Sequence, residues 1–359
     1  MIPQNKKISV LHPFVKERWW AVKMMLYLSN FLKEKWNKIN FYCFSLKKNN
    51  FSDLNLDFKI KSFYSWKISK IISLFLIAYN IRKSDYIIVW NSPMHFAWVI
   101  SKVLFFSKAK IIWWNHHYPW YYNKNTKQIS FKRFLEKSIL WKIDIIVSNS
   151  NFLKQELEKI FNRQIYILNP VLDKEFIIYN RNREVDKLDN TIFSYSRWVK
   201  WKNVSLLFET YEKLKDKIKN LTLIIWWEWD ELSFYKNKYK NNKNIIFLWL
   251  INKKQIIDYL EKSKVFLFPS NIDSFGIVVI EAMSIWIPVV SYNSPWVEEI
   301  IKNSINSFYV NNKNDFIEKT YNLLINNSLN EKISNSAKKI TISYDNKNFS
   351  NLLEKIFKS

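Results

Sequence analysis

Short apolar runs recur along the chain and alternate with longer segments in which apolar residues return every three or four positions. In the first half, residues 8–11, 39–44, 85–89, 110–113 and 143–147 read as buried strands, and residues 21–35 and 65–81 as helices. Continuous Ile, Val and Phe runs, without alternation, fit strands covered on both faces, as in a parallel sheet with crossover helices. A polar stretch at 179–190 reads as a linker or an exposed loop near a boundary. The pattern then restarts, with strands expected at 191–195, 221–225, 245–248, 265–268 and 288–291 and helices at 205–216, 253–262 and 277–285. Two doubly wound α/β domains in tandem follow, 1–170 and 171–340, with ligands expected where strand carboxyl ends face each other. Residues 348–357 are amphipathic, and the segment 341–359 is expected to pack back on the first domain.

The bulk numbers agree with two domains. At 359 residues and 48% hydrophobic content the chain is too long for one ordinary core and rich enough to bury two. No apolar run reaches the roughly 20 residues of a membrane-spanning helix. The start, Met1 to Lys7 leading into an apolar strand, lacks the basic-then-apolar layout of a signal peptide. Cys43 is the one cysteine, which leaves no internal disulfide and no cysteine-based zinc site. A cytoplasmic address is expected, with room for peripheral contact at the inner face of a membrane.

Charge changes the picture only in its distribution. The formal net charge is +25, and 49 of the 56 basic residues are Lys, a bias that AT-rich coding produces. Residues 1–170 carry 28 basic and 9 acidic side chains, net +19, whereas residues 171–359 carry 28 and 22, net +6. A basic first half suits an anionic membrane surface or a phosphate-bearing acceptor. Nucleic acid is not an expected partner, since arginine clusters, zinc spacing and an RNA-recognition signature are lacking.

Glycine and tryptophan stand at opposite extremes. The chain has one glycine, Gly276, and 18 tryptophans, where about 25 glycines would be ordinary. Tight turns, helix ends and phosphate loops all need glycine. Tryptophans occupy such places: Trp36 and Trp286 between a helix and a strand, and Trp227-Glu228-Trp229-Asp230 at a β-to-α turn. A tryptophan-rich sugar-stacking surface explains the second extreme and not the first. Both follow if UGA is read as glycine in the source organism and the chain was translated with UGA as tryptophan. Trp114, Trp120 and Trp201 are the positions expected to be genuine.

The chemistry concentrates between Val265 and Ile300. Ser274-Phe275-Gly276-Ile277 opens a helix, so free backbone N–H groups and the dipole's positive end can hold a diphosphate. Glu281 lies just over two turns beyond Asp273, where a carboxylate can accept ribose hydroxyls. With Pro269-Ser270 and Glu281-Ala282-Met283, this segment resembles the donor-binding signature of the retaining glycosyltransferases of family four, also called group one. Asp273 stands where that family has its first glutamate, and Trp286 and Trp296 stand where it has glycines. Arg197 and Lys202, after Tyr195-Ser196, resemble the family's cation pair, which would neutralise charge on the departing diphosphate. Trp19-Trp20 resembles its glycine-rich loop beside the donor phosphates. His116 or His117 occupies the place of its active-site histidine, and the residues alone do not separate the two.

The resemblance implies the GT-B fold: two Rossmann-like, doubly wound parallel-sheet domains facing across a cleft. It implies a retaining transfer of a hexose-type sugar from a nucleotide-sugar to a glycan or lipid-linked acceptor, as in polysaccharide or glycolipid biosynthesis. No cofactor and no catalytic metal are expected, and no Asp-x-Asp motif is present. A sugar-nucleotide epimerase of the same fold is the alternative, and a basic nucleic-acid-binding protein the alternative from another class.

Overall fold

The structure, a computed structural model, describes residues 2–15, 20–35, 37–46, 58–63, 67–90, 94–116, 138–179, 190–196, 202–227, 232–249, 251–271, 273 and 275–358. These fall into two compact units, one made of residues 1–170 and 349–359 and the other of residues 171–348.

The first unit contains β1 (Lys7–Leu11), β2 (Phe14–Val15), α1 (Trp20–Glu34), β3 (Lys38–Cys43), β4 (Ser45–Leu46), β5 (Ile60–Ser62), α2 (Lys67–Ile81), β6 (Tyr86–Val89), α3 (Met94–Leu104), β7 (Lys110–Asn115), β8 (Ile145–Ser148), α4 (Asn151–Phe161) and β9 (Tyr166–Ile167). Seven strands form one parallel sheet in the order β5-β3-β1-β6-β7-β8-β9. The order reverses between β1 and β6, which makes their carboxyl ends a switch point. One face of the sheet buries Leu11, Ile87, Val89, Ile111 and Trp113 with Ile77 and Ile81 of α2 and Ala97 of α3.

The second unit contains α5 (Lys174–Ile178), β10 (Thr191–Ser196), α6 (Ser205–Leu214), β11 (Thr222–Trp227), α7 (Leu232–Lys238), β12 (Ile245–Leu248), α8 (Lys253–Lys262), β13 (Val265–Phe268), α9 (Ile277–Ser284), β14 (Val289–Tyr292), α10 (Val297–Ile300), β15 (Phe308–Val310), α11 (Lys313–Ile325) and α12 (Asn327–Ala337), and a last helix, α13 (Asn346–Lys358), follows. Its six parallel strands run β12-β11-β10-β13-β14-β15, with the reversal between β10 and β13. Alternate residues sort onto opposite faces, as the period of two requires. Ile192, Leu223, Ile225, Val265 and Leu267 enter one core cluster, and Phe193, Ile224, Phe266 and Phe268 the other.

The chain's end divides differently from the expected boundary at 340. The 3-10 segment Lys338–Tyr344 stays with the second unit, because Tyr344 is buried against Phe275 and its carbonyl accepts from the Leu172 N–H at 3.0 Å. From Phe349 onward α13 belongs to the first unit. There Phe349 meets Tyr27 and Phe31 of α1 edge-on, at 5.2 and 5.6 Å between ring centroids. Leu353 and Ile356 close over Leu28, Ile112 and Trp114 on the sheet's other face.

Candidate functional site

The switch point of the second sheet gathers most of the expected donor residues. Lys202 follows β10 and Asp273 follows β13, the two strands between which the order reverses. Their side chains are in direct contact, Lys202 Nζ donating to Asp273 Oδ2. Lys202 is only 7% exposed, and its ammonium also lies over the Phe268 ring, 4.8 Å from the centroid. The other oxygen of Asp273 accepts from the Phe275 N–H at 3.4 Å and holds the turn into α9.

That turn ends at Gly276, in the left-handed region at φ 69°, ψ 44°. The position needs glycine for space as well as for φ: a Cβ there would lie 2.0 Å from the Trp296 ring. Helix α9 starts directly after it, and its N-cap residue Gly276 has no side chain with which to cap the first N–H groups. The backbone N–H groups of a helix start and the helix dipole make this end suited to an anion. Phe275 contributes backbone only, since its ring is buried against Tyr344.

Glu281 sits one helix turn further along α9, and its Oε2 accepts a 2.6 Å hydrogen bond from the Tyr195 hydroxyl. Tyr195 belongs to β10, so this bond ties the helix to the central strand. Burial, and then the Glu281 charge, push the Tyr195 hydroxyl well above its ordinary range and keep it a neutral donor.

In the first unit the corresponding edge collects histidines. His12 directly follows β1 and stacks on Trp90, which follows β6, at 4.3 Å and 16°. Trp90 also faces His116, which directly follows β7, at 6.5 Å. His12 and His116 are fully buried, and Trp90 is 5% exposed. The Ser150 hydroxyl caps α4 by accepting from the Leu153 N–H at 3.2 Å, which fixes the turn after β8 on the same edge.

Lys202, Asp273, Gly276, Ile277 and Glu281 therefore share one strand-end edge of the second unit, and His116 lies on that of the first. Trp19, His117, Arg197 and Ser274 lie outside the described residues, and Trp20 is described only as the start of α1. Two members of these edges carried no role in the sequence reading. His12 is signalled by its place between the first apolar run and Pro13, and Tyr195 by its polar hydroxyl at the end of a buried strand.

Residues 177–340 match the family model described as Glycosyl transferases group 1. The uncharacterized glycosyltransferase YqgM of Bacillus subtilis (strain 168) is 26% identical over 156 residues, 43% of this chain and 43% of the relative. The capsular polysaccharide biosynthesis glycosyltransferase CapM of Staphylococcus aureus is 28% identical over 159 residues, 42% of this chain and 41% of the relative. The chain thus spans less than half the length of these two curated relatives. Structural likeness reaches further: Anabaena Alr3699/HepE, solved in complex with UDP and glucose, superposes with a TM-score of 0.78 at 13% identity, covering 98% of each chain. Residues 177–340 are similar to the group 1 glycosyl transferases, in a chain whose two parallel α/β units make up the GT-B fold.

Proposed function

We propose that the chain is a retaining glycosyltransferase that moves a hexose-type sugar from a nucleotide-sugar to a glycan or lipid-linked acceptor. The observation that carries this reading is the set Lys202, Asp273, Gly276 and Glu281 at one switch point. The start of α9 receives the diphosphate, and Glu281, held by Tyr195, accepts the ribose hydroxyls. Lys202, with Arg197, neutralises charge growing on the leaving diphosphate. The sugar C1–oxygen bond to the diphosphate breaks as the acceptor oxygen bonds C1 on the same face. The acceptor proton passes to a leaving phosphate oxygen, so no protein nucleophile is needed. His116 or His117 serves the sugar, and the Trp19-Trp20 loop the donor phosphates.

These cations do the work a metal would do, so turnover should survive chelation by EDTA. A UDP complex of HepE and the capsular role in CapM's name support a nucleotide-sugar donor and a glycan acceptor. The +19 charge of residues 1–170 supports peripheral contact with an anionic membrane. The test is incubation with nucleotide-sugars, with and without acceptor, following both species by NMR. Acceptor-dependent product with the donor's anomeric configuration is expected. Conversion of donor alone would instead identify an epimerase.

A further inference from the structure

Helix α2 exposes the wrong face for water. Ile77, Ala78 and Ile81 are buried in the first unit's core, yet Ile71, Ile72, Phe75, Leu76 and Tyr79 form a stripe on the opposite side, with Ile71 63% exposed. No charged residue lies between 71 and 81. An exposed helix face is ordinarily polar. The stripe continues onto the end of α3, where Val103, Leu104 and Phe106 are exposed, Phe106 to 83%. Tyr79 and Phe105 join the two parts edge-on at 5.5 Å.

Cations border this apolar face. The Arg82 guanidinium covers the Tyr79 ring at 3.5 Å, and Lys83 and Lys108 are exposed beside the two helix ends. Residues 67–110 carry seven basic side chains and one acid, Asp85, which is itself engaged by the Lys7 N–H at 2.8 Å. A second copy of the chain would bring the same positive charge to the same face and be repelled. An apolar face with a cationic border matches the boundary between headgroups and acyl chains of an acidic bilayer.

We propose that the α2–α3 face docks the protein peripherally on anionic lipid. This deepens the membrane contact proposed above and is independent of the transfer chemistry. The patch lies on α2 and at the α3 carboxyl end, away from the strand ends that carry His12 and His116.

The experiment is sedimentation of the full chain with phosphatidylglycerol-containing vesicles and with pure phosphatidylcholine vesicles at low salt. Wild type should pellet with the anionic vesicles only. Ile72→Glu/Phe75→Glu and Lys83→Glu/Lys108→Glu should each weaken binding at least tenfold while melting as wild type. Donor binding measured on the same variants should be unchanged, which separates failure of docking from failure of the site. Equal binding to neutral vesicles, no binding, or undiminished binding of the apolar variant overturns the proposal. So does a wild-type dimer in light scattering that the apolar variant makes monomeric.

Among the described residues eight non-glycine residues have positive φ, and five of them are Asn, which tolerates it. Trp286 is another, at φ 57°, just past the end of α9 with its N–H on the Met283 carbonyl at 3.2 Å. That is the helix-terminating position glycine fills by default. The Trp296 ring covers the single glycine, and its Nε1 is buried without a hydrogen-bond partner. The Trp90 ring fills the space between His12 and His116. One glycine beside 18 tryptophans completes the pattern.

We infer that positions 286 and 296 are glycine in the cell, encoded by UGA. Glycine at 296 would uncover Gly276 and the start of α9. The gene should carry UGA at both codons, with UGG confined to genuine tryptophans, and peptides from the native source should show glycine masses at 286 and 296. UGG codons there, or tryptophan masses, overturn the inference.

Discussion

The ammonium of Lys202 and the carboxylate of Asp273 meet across the gap between β10 and β13, though 71 positions separate them in sequence. Both are mostly buried, with side chains 9% and 18% exposed. The contact joins the two loops between which an α/β sheet holds its ligand. It therefore has a structural and an electrostatic role, which substitutions can separate.

Lys202→Ala should lower kcat/KM about 10²–10³-fold, the usual effect of losing one preorganised charge partner of a leaving group. It also strands the Asp273 carboxylate, so stability should fall by about 3 kcal/mol, the lower end of the range for a broken buried pair. In a double-mutant cycle with Asp273→Ala, the stability losses should overlap rather than add. Additive urea-unfolding losses would mean that the contact contributes nothing.

Tyr195→Phe removes the 2.6 Å bond to Glu281 and leaves its helix in place. The carboxylate then loses a positioning partner, and donor affinity should fall about tenfold, equivalent to about 1.4 kcal/mol. Glu281→Ala removes the proposed contact to ribose itself and should lose considerably more. Calorimetric titration with UDP checks both, and a wild-type Kd for Tyr195→Phe would leave the tyrosine with a packing role only.

What the sequence could show follows from where each signal is stored. The central strands were legible because burial on both faces writes continuous apolar runs such as that of β13, Val265–Phe268. The edge strands β5 and β9 were not, since Ile60–Ser62 is largely exposed and Tyr166–Ile167 is two residues long. Their existence depends on a neighbouring strand. Helices α3 and α4 are not among the predicted elements, although Ser150 before α4 is a readable cap. Gly276 and Glu281 were legible from local spacing. The pairing of Lys202 with Asp273 was not, because it depends on strand order rather than on distance along the chain.

Cys43 at the end of β3 is fully buried, and burial pushes its thiol up to about 12. The thiolate is the reactive form. Iodoacetamide at pH 8 should therefore leave the native protein unlabelled and modify it fully in denaturant. Rapid native labelling, read by intact mass, would place Cys43 in a part of the sheet that opens easily.

Lys338 Nζ donates to the Ser284 carbonyl at 2.8 Å and the Tyr179 carbonyl at 3.1 Å, at the carboxyl end of α9. Burial lowers it from an ordinary 10.5 to about 8. A base lowered on folding makes the unfolded chain bind more protons between pH 8 and 10.5, so stability should rise with pH across that window. Lys338→Met should lack this rise. With the group half-buried, the difference should reach no more than about 2 kcal/mol. Parallel urea midpoints for the two proteins from pH 7 to 11 decide it.

Asn162 ends α4 in the left-handed region, at φ 44° and ψ 46°, with its N–H on the Glu158 carbonyl at 2.9 Å. Asn203 and Asn220 adopt the same region elsewhere, so asparagine takes over part of the work that glycine does in most chains. Asparagine tolerates this conformation because its short polar side chain bonds locally, whereas alanine has only the steric cost. Asn162→Ala should therefore destabilise by about 1 kcal/mol and Asn162→Gly by a few tenths at most. Trp286→Gly, relieving a φ of 57° under a bulky ring, should stabilise where Asn162→Gly is neutral. Thermal unfolding of the three single variants measures this directly. An alanine variant at 162 as stable as wild type would show that α4 ends without needing the left-handed turn.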